Sequence, residues 1–174
     1  MIVGAVLAGG HSARFGSDKA LAELEGRTLM ARAVDTLSGW CEHVVVVGRE
    51  SAPAPTLPDW PRPEMGPLAG IAAALRLAQD EGYEAVLTIG VDSVCLPDNL
   101  PALLAPASSY LDSQPIIGLW ALSALGRLEA ILTGQEKHSV YHFAEAIGAR
   151  AVKLSVKPAN INIPADLAVL ERRK

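Results

Sequence analysis

Continuous apolar runs that alternate with helical patterns constrain this chain more than any other feature of its sequence. Three runs, "IVGAVLA", "HVVVVG" and "AVLTIGVD", end at turn residues and lack the alternation of a half-exposed strand. They are typical of strands that are covered on both faces. Between them, small and apolar residues recur at helical spacing from Leu29 to Leu37 and from Leu68 to Ala78. The alternation predicts βαβ units and an α/β fold with a mostly parallel sheet.

The second half of the chain continues this pattern. It offers a fourth strand in "PIIGLWAL", helices in "SALGRLEAIL" and "SVYHFAEAIG", and a late strand in "AVKLSV". A last helix is predicted to begin near Pro164, because proline is favoured at the first helical position. Residues 51–64 hold five prolines and are predicted to form a loop without regular structure. With 174 residues in all, we expect a single domain over 1–174.

Composition and charge exclude several classes of protein. The net charge is −4, and no stripe of lysine and arginine could follow a nucleic-acid backbone. No apolar run approaches the roughly 20 residues that cross a bilayer. Cys41 and Cys95 lie far apart and match no metal-ligand spacing, so we expect reduced thiols and a cytoplasmic protein. Neither nucleic acid nor a membrane is an expected partner.

The glycine-rich stretch "LAGGHSARFGSDK" directly follows the first predicted strand. In an open parallel sheet, ligands bind beyond the carboxyl ends of the strands. Glycines allow the backbone to approach a ligand closely, and Arg14 and Lys19 could add positive charge for phosphate. The spacing matches neither the Walker loop nor the G-x-G-x-x-G dinucleotide loop. A phosphate site is therefore one interpretation, and a glycine-rich turn with surface charges is the other.

Two further strand ends carry polar residues. Asp92 follows a buried run, where a carboxylate could hold Mg²⁺ together with substrate phosphates; it could equally be a turn residue ahead of Pro97. Asn160 and Asn162 would project to the same side of an extended segment. Their amides could contact a polar ligand or a metal, or they could serve as turn and cap residues.

Taken together, these segments resemble the molybdenum cofactor guanylyltransferase family. "LAGGHSARFGSDK" is similar to that family's LAGG-x-S-x-R-(M/F)-G-x-D-K signature, and "GPLAGI" resembles its second motif. "VDSVCLP" looks like its metal-binding D-T-P stretch, and "NINIPADL" resembles its N-x-N-T-P-x-D-L close. Cytidylyl-transferring relatives usually read LAAG and lack GPLAG, which favours guanine. The implied fold is the single-domain, Rossmann-like fold of the nucleotide-diphospho-sugar transferases, with helices on both faces of the sheet.

The resemblance also implies a reaction, in which a terminal phosphate of molybdopterin attacks the α-phosphorus of GTP and pyrophosphate leaves. It implies Mg²⁺ as cofactor and contact with proteins that deliver molybdopterin or mature molybdoenzymes. Arg14, Lys19 and Asp92 would be catalytic, with Asp92 the metal ligand. The residues implied at the nucleotide, pterin or metal are Leu7, Ala8, Gly9, Gly10, Lys19, Asp59, Gly66, Gly70, Asp92, Asn160 and Asn162.

Asp59 is implied to accept hydrogen bonds from guanine, although a plain turn residue in "PDWP" would need no ligand. The chain departs from the family pattern at Val94, Gln114 and Ile163, and Val47 and Gly48 offer no asparagine side chain to a nucleotide. A related nucleotidyltransferase that uses CTP or another acceptor remains an alternative, as does a silent nucleotide-binding homologue. The presence of Arg14, Lys19 and Asp92 together argues against a catalytically silent homologue.

Overall fold

The computed structural model describes residues 1–10 and 18–172 and contains eleven strands and six α-helices within them. The strands are β1 (Ile2–Leu7), β2 (Glu23–Leu24), β3 (Arg27–Thr28), β4 (His43–Val47), β5 (Thr56–Leu57), β6 (Ala85–Gly90), β7 (Ser93–Val94), β8 (Ser109–Leu111), β9 (Gln114–Ala121), β10 (Arg150–Val152) and β11 (Ala159–Asn160). The α-helices are α1 (Leu29–Ser38), α2 (Pro67–Glu81), α3 (Leu100–Leu104), α4 (Leu125–Thr133), α5 (Val140–Ala146) and α6 (Pro164–Arg172).

Seven strands form the central sheet in the order β10-β8-β9-β6-β1-β4-β5. Strands β6, β1, β4 and β5 are mutually parallel, which confirms the predicted parallel core. Strand β9 instead runs antiparallel to both β6 and β8. Only Asp112 and Ser113 separate β8 from β9, and so short a connection can join only antiparallel strands.

Helices cover both faces of the sheet, as predicted. Alternate residues of β1 contribute to two cores: Val3, Ala5 and Leu7 pack with α2, α4 and α5, while Val6 packs with α1 and α3. The core strands β1 and β6 are almost wholly buried. This explains why their sequences are continuously apolar rather than alternating.

Two expectations about local structure were wrong in part. The proline-rich segment contains β5, because Val46 N–H donates to Pro55 O and Gly48 N–H to Leu57 O. An edge strand accepts these bonds at carbonyls, which proline retains. The late strand ends at Val152 rather than continuing through Val156. Its parallel partner β8 is only three residues long, so the ladder has nothing further to pair with.

Two small sheets lie outside the central one and were not predicted. The hairpin β2-β3 follows a 3₁₀ helix at Lys19–Leu21, and β11 pairs antiparallel with β7. Pairing of β11 with β7 brings the end of the chain beside the residues that follow β6. The domain prediction over 1–174 remains a prediction.

Both cysteines are free thiols, as expected. Burial raises the pKa of the Cys41 thiol to about 12, so that thiol stays protonated at neutral pH. Within the described part of the chain, none of the helices combines the length and apolar character needed to cross a membrane.

Candidate active site

A cleft of about 230 Å³ lies where β1 and β4 end and α2 begins. Ligands of open α/β sheets bind at such strand ends. Its described lining comprises Leu7, Gly9, Gly10, Val47, Asp59, Glu64, Gly66, Pro67, Gly70 and Ile116. Six of these were implied from the sequence to be nucleotide-binding. The other four were not: Pro67 belongs to the "GPLAGI" motif and Val47 was noted only as a departure from the family pattern, while no motif in the sequence marks Glu64 or Ile116.

Close backbone contact between Gly9 and Gly48 shapes the cleft. A Cβ atom at Gly48 would lie 2.6 Å from Gly9 Cα, and the φ of Gly48 is +85°. Both the distance and the backbone conformation therefore require glycine at position 48. The absence of a side chain at Gly48, noted as a departure from some relatives, thus has a structural cause in this chain.

Gly70 allows α2 to pack against β1 at the base of the cleft. An added Cβ would lie 2.9 Å from Leu7 Cδ2 and 3.5 Å from Asp59 Oδ1. Gly66 precedes the helix with a φ of +73°, and Pro67 occupies its first turn. The first turn of α2 therefore faces the cleft, where the positive end of the helix dipole favours a negatively charged or polar ligand.

Asp59 lies against the opening glycines, although it follows a proline-rich segment. Trp60 N–H donates to Ala69 O at 3.1 Å, which ties this segment to α2. The guanidinium carbon of Arg76 lies 4.8 Å from the centre of the Trp60 ring. Burial raises the pKa of the Asp59 carboxyl group above its usual range. Among the described residues, no side chain or backbone N–H is hydrogen-bonded to it.

Lys19 and Asp92 come together at the same edge of the sheet. Lys19 Nζ lies 3.2 Å from Asp92 Oδ2, and the two side chains are 17% and 25% exposed. Lys19 opens the 3₁₀ helix, and Asp92 follows β6. The sequence predicted each residue as functional, and the structure shows that they form one ion pair.

Asp18 and Arg49 anchor the segment that carries Lys19. The Asp18 carboxylate accepts from Ala20 N–H at the start of the 3₁₀ helix and forms an ion pair with Arg49, just after β4. The hydrogen bond from Arg49 is the main reason that the pKa of Asp18 lies below its usual range. Sequence reasoning did not identify Arg49, because the pairing of strands β1 and β4 is what brings it to this position.

Asn160 and Asn162 lie beside Asp92. Ile161 N–H donates to Asp92 O at 3.1 Å, and Asn160 Nδ2 donates to Asn162 Oδ1 at 3.5 Å. The two amides therefore lie on one side of the segment, as predicted. Asp166 accepts from the N–H groups of Asn162 and Ile163, and these bonds, with a smaller effect of Lys19, lower its pKa.

The departures from the family pattern have visible structural roles. Val94 is buried in β7 and pairs with Ala159. Gln114 Nε2 donates to Pro158 O at 2.9 Å, which helps to hold the last segment in place. At Ile163, Asp166 satisfies the backbone N–H, so the start of α6 does not depend on a threonine hydroxyl there.

Two of the implied residues differ from the rest. Ala8 is buried, and its N–H donates to Val47 O at 3.0 Å, so this N–H belongs to the sheet. Arg14 lies outside the described residues, so its predicted role remains a prediction.

Asp92 carries the kind of oxygen ligand that a hard divalent cation takes, although its carboxylate is paired with Lys19. Among the described residues, no group of three or more His, Cys, Asp or Glu side chains forms a cage. Mg²⁺ usually needs only one or two carboxylates, with phosphates and water completing its shell. Asp92 could supply the carboxylate, and the neighbouring Asn160 and Asn162 amides are oxygen donors of the same hard type.

Comparison with known proteins agrees with this geometry. Residues 4–147 match the family described as "MobA-like NTP transferase domain". The chain is 36% identical to a molybdenum cofactor guanylyltransferase of Acidiphilium cryptum, over 95% of this chain and 92% of that protein.

Solved structures share the fold. Molybdopterin-guanine dinucleotide biosynthesis protein A from Archaeoglobus fulgidus has a TM-score of 0.76 at 23% identity, covering 99% of this chain and 97% of that one. The 2-C-methyl-D-erythritol 4-phosphate cytidylyltransferase of Thermus thermophilus has a TM-score of 0.63 at 16% identity, covering 99% and 98%.

The fold is the nucleotide-diphospho-sugar transferase fold that these solved structures share, and the family match over residues 4–147 places the chain among the NTP transferases. Within that class, the chain belongs to the MobA-like NTP transferase family.

Proposed function

We propose that this protein transfers GMP from GTP to molybdopterin and releases pyrophosphate, forming the guanine dinucleotide cofactor. The observation that carries the proposal is the Asp59 carboxylate in the cleft formed by the "LAGG" and "GPLAG" segments. The 36% identity to a guanylyltransferase over 95% of this chain supports the same substrate pair.

The guanine base would bind in the cleft beside Asp59. A carboxylate accepts two hydrogen bonds, and guanine offers two donors on one edge, N1–H and N2–H₂. Adenine and cytosine lack this pair of donors. A half-buried carboxylate without a partner among the described residues is costly, so a ligand that donates to it gains affinity.

The transfer itself is a substitution at the α-phosphorus. A bond forms between a terminal phosphate oxygen of molybdopterin and the α-phosphorus, and the bond from the α-phosphorus to the bridging oxygen of the β-phosphate breaks. The attacking phosphate is already ionised at neutral pH, so no base has to remove a proton. Lys19 would hold the negative charge that grows on the departing pyrophosphate.

Asp92 would orient Lys19 through their ion pair and would hold Mg²⁺ as well. When bound, Mg²⁺ would neutralise phosphate charge and help to align the phosphates. The amides of Asn160 and Asn162 lie next to Asp92 and would contact the acceptor or the metal.

The proposed cellular compartment is the cytoplasm, and the proposed protein partners handle the acceptor or the product. Free thiols suit the reducing cytoplasm, where GTP is available. Molybdopterin would reach the enzyme from proteins that deliver it or would leave with proteins that mature molybdoenzymes.

The proposal is tested by incubating the purified protein with molybdopterin, Mg²⁺ and each nucleoside triphosphate in turn. We expect pyrophosphate release that requires molybdopterin and is fastest with GTP. Faster release with CTP would assign the chain to a cytidylyl-transferring activity of the same fold. Nucleotide binding without any release would indicate a silent homologue.

A further inference from the structure

The Asp59 carboxylate belongs to a segment between two regular elements. Asp59 stands between β5, which ends at Leu57, and α2, which begins at Pro67. Its Oδ2 atom would lie 3.3 Å from a Cβ at Gly9, and its Oδ1 atom 3.5 Å from a Cβ at Gly70. Because Asp59 lies in neither a helix nor a strand, the contacts of its neighbours in the chain decide where this carboxylate lies.

Trp60, the next residue, joins this segment to α2. Its N–H donates to Ala69 O at 3.1 Å, and its side chain packs against the core on the α2 face of the sheet. The guanidinium carbon of Arg76 lies 4.8 Å from the centre of the Trp60 ring. At this distance a cation is attracted to the face of an aromatic ring. Arg76 therefore covers the side chain that directly follows Asp59.

Glu129 holds the same guanidinium group from α4. Arg76 Nη1 donates to Glu129 Oε1, and the two side chains are 45% and 31% exposed. A planar guanidinium can stack on a ring and pair with a carboxylate at the same time. A partly exposed ion pair adds little stability by itself, but this one limits where the guanidinium can lie. The three side chains, called the Trp60–Arg76–Glu129 stack below, link α2 and α4 to the segment that carries Asp59.

The stack lies apart from the features that mark the nucleotide cleft. Its three residues belong to none of the motifs on which the family resemblance rests. The described lining of the cleft contains Asp59 but none of the three. Burial is the cause of the raised pKa of Asp59, whereas a neighbouring cation would lower it. We therefore expect the stack to affect a bound base through the position of Asp59 rather than through charge.

We propose that Arg76 is a positioning residue for base recognition, and that its stacking on Trp60 holds the Asp59 carboxylate where both guanine donors reach it. This inference rests on the proposed function, in which Asp59 accepts from N1–H and N2–H₂ of GTP. Two hydrogen bonds from one edge of a base require a fixed carboxylate, whereas a single bond tolerates rotation. Loss of the stack should therefore weaken recognition of the donor pair more than binding of the nucleotide as a whole.

Inosine triphosphate (ITP) is the probe, because its base keeps N1–H but lacks the 2-amino group of guanine. Calorimetry on the full chain with Mg²⁺ measures the ratio of GTP affinity to ITP affinity. We expect the wild type to prefer GTP and Arg76→Ala to lower this ratio by about threefold, the effect of a partly exposed cation–π contact. Arg76→Lys should retain most of the ratio, since an ammonium group can also lie over the ring. A loss of stability alone would weaken both nucleotides equally and leave the ratio unchanged.

Arg127→Ala is the matched control. Arg127 lies on α4 and forms a similarly exposed ion pair with Glu136, away from Trp60. The control should keep the wild-type ratio. A double-mutant cycle with Trp60→Leu tests the route of the effect. If Arg76 acts through Trp60, Arg76→Ala should lower the ratio in the wild type but not in Trp60→Leu, and Trp60→Phe should keep most of the ratio. Thermal unfolding of each variant shows that it is folded at the assay temperature.

The outcomes separate this inference from the proposed function. An unchanged ratio in Arg76→Ala, or an equal fall in the wild type and in Trp60→Leu, would overturn the inference while leaving the proposed function intact. A wild type that binds GTP and ITP equally would remove recognition of the donor pair by Asp59, and this inference with it. A wild type that prefers CTP would remove the proposed function as well.

Discussion

Lys19 Nζ and Asp92 Oδ2 lie 3.2 Å apart although the two residues are 73 positions apart in the chain. The parallel pairing of β1 with β6 places the ends of both strands at one edge of the sheet. The 3₁₀ helix that starts at Lys19 then directs the ammonium group toward the carboxylate. Each of the predictions below changes this pair or the cleft beside it.

Replacing Lys19 by alanine should weaken nucleotide binding and slow the transfer. The ammonium group is expected to oppose the charge that develops on pyrophosphate, and a group that acts in the transition state lowers kcat when it is lost. Steady-state kinetics and calorimetry with GTP measure the two effects. Lys137→Ala removes an exposed lysine elsewhere and should change neither. Unchanged affinity and rate in Lys19→Ala would make the opening segment purely structural.

Asp92→Asn should fold normally but lose transfer by about a hundredfold or more, because it removes the charge that orients Lys19 and would hold the metal. The concentration of Mg²⁺ needed for half-maximal GTP binding should also rise. Asp98→Asn is the matched control, since Asp98 is an exposed aspartate on the next connection, between β7 and α3. Near-normal turnover with Mg²⁺ would remove Asp92 from the site.

Asp59→Ala should weaken GTP binding by about 1–3 kcal/mol, the range for loss of hydrogen bonds to a charged group. ATP and CTP should lose little, because they cannot donate the same pair of hydrogen bonds. Calorimetry with the three nucleotides in constant Mg²⁺ measures the difference. If guanine selectivity survives the substitution, backbone groups near "GPLAG" must recognise the base instead.

The pH dependence of GTP binding should follow the ionisation of the Asp59 carboxyl group. Burial raises its pKa, and only the ionised form accepts both guanine donors. Affinity for GTP should therefore be full above the raised pKa and fall as the pH decreases through it. This decrease should begin at a higher pH than an ordinary aspartate would give. Asp59→Asn should lack the decrease, whereas a wild type with a flat profile would contradict an ionised Asp59 at the base.

Gly48→Ala should destabilise the protein and deform the nucleotide cleft. The new Cβ would lie 2.6 Å from Gly9 Cα in a residue whose φ is +85°. Gly82→Ala is the control, because its φ is +80° but no atom lies within 4 Å of the new Cβ. The control should cost about 1 kcal/mol from the left-handed conformation alone, and Gly48→Ala about 1–3 kcal/mol more. Urea denaturation measures both, and equal losses would show that the contact with Gly9 can relax.

Much of the fold could be predicted because its strands and helices are local patterns. The apolar runs of β1, β4 and β6 and the helical spacing of α1 and α2 are visible within windows of ten to fifteen residues. The family motifs similarly marked Gly9, Asp59, Gly66 and Gly70, which the structure brings into one cleft. The antiparallel direction of β9 and the strand β5 were not predicted, since they depend on which strand lies next in the sheet.

The amino-acid sequence by itself determined which segments become buried strands and amphipathic helices, and which residue types stand at the strand ends, because burial periodicity and turn chemistry act over a few residues. Only the tertiary structure decided which of these ends meet. The contact of Gly48 with Gly9, the ion pair of Asp18 with Arg49 and the bond from Ile161 to Asp92 each join distant segments. Strand order and register create these contacts, and both depend on packing across the whole sheet rather than on any local pattern.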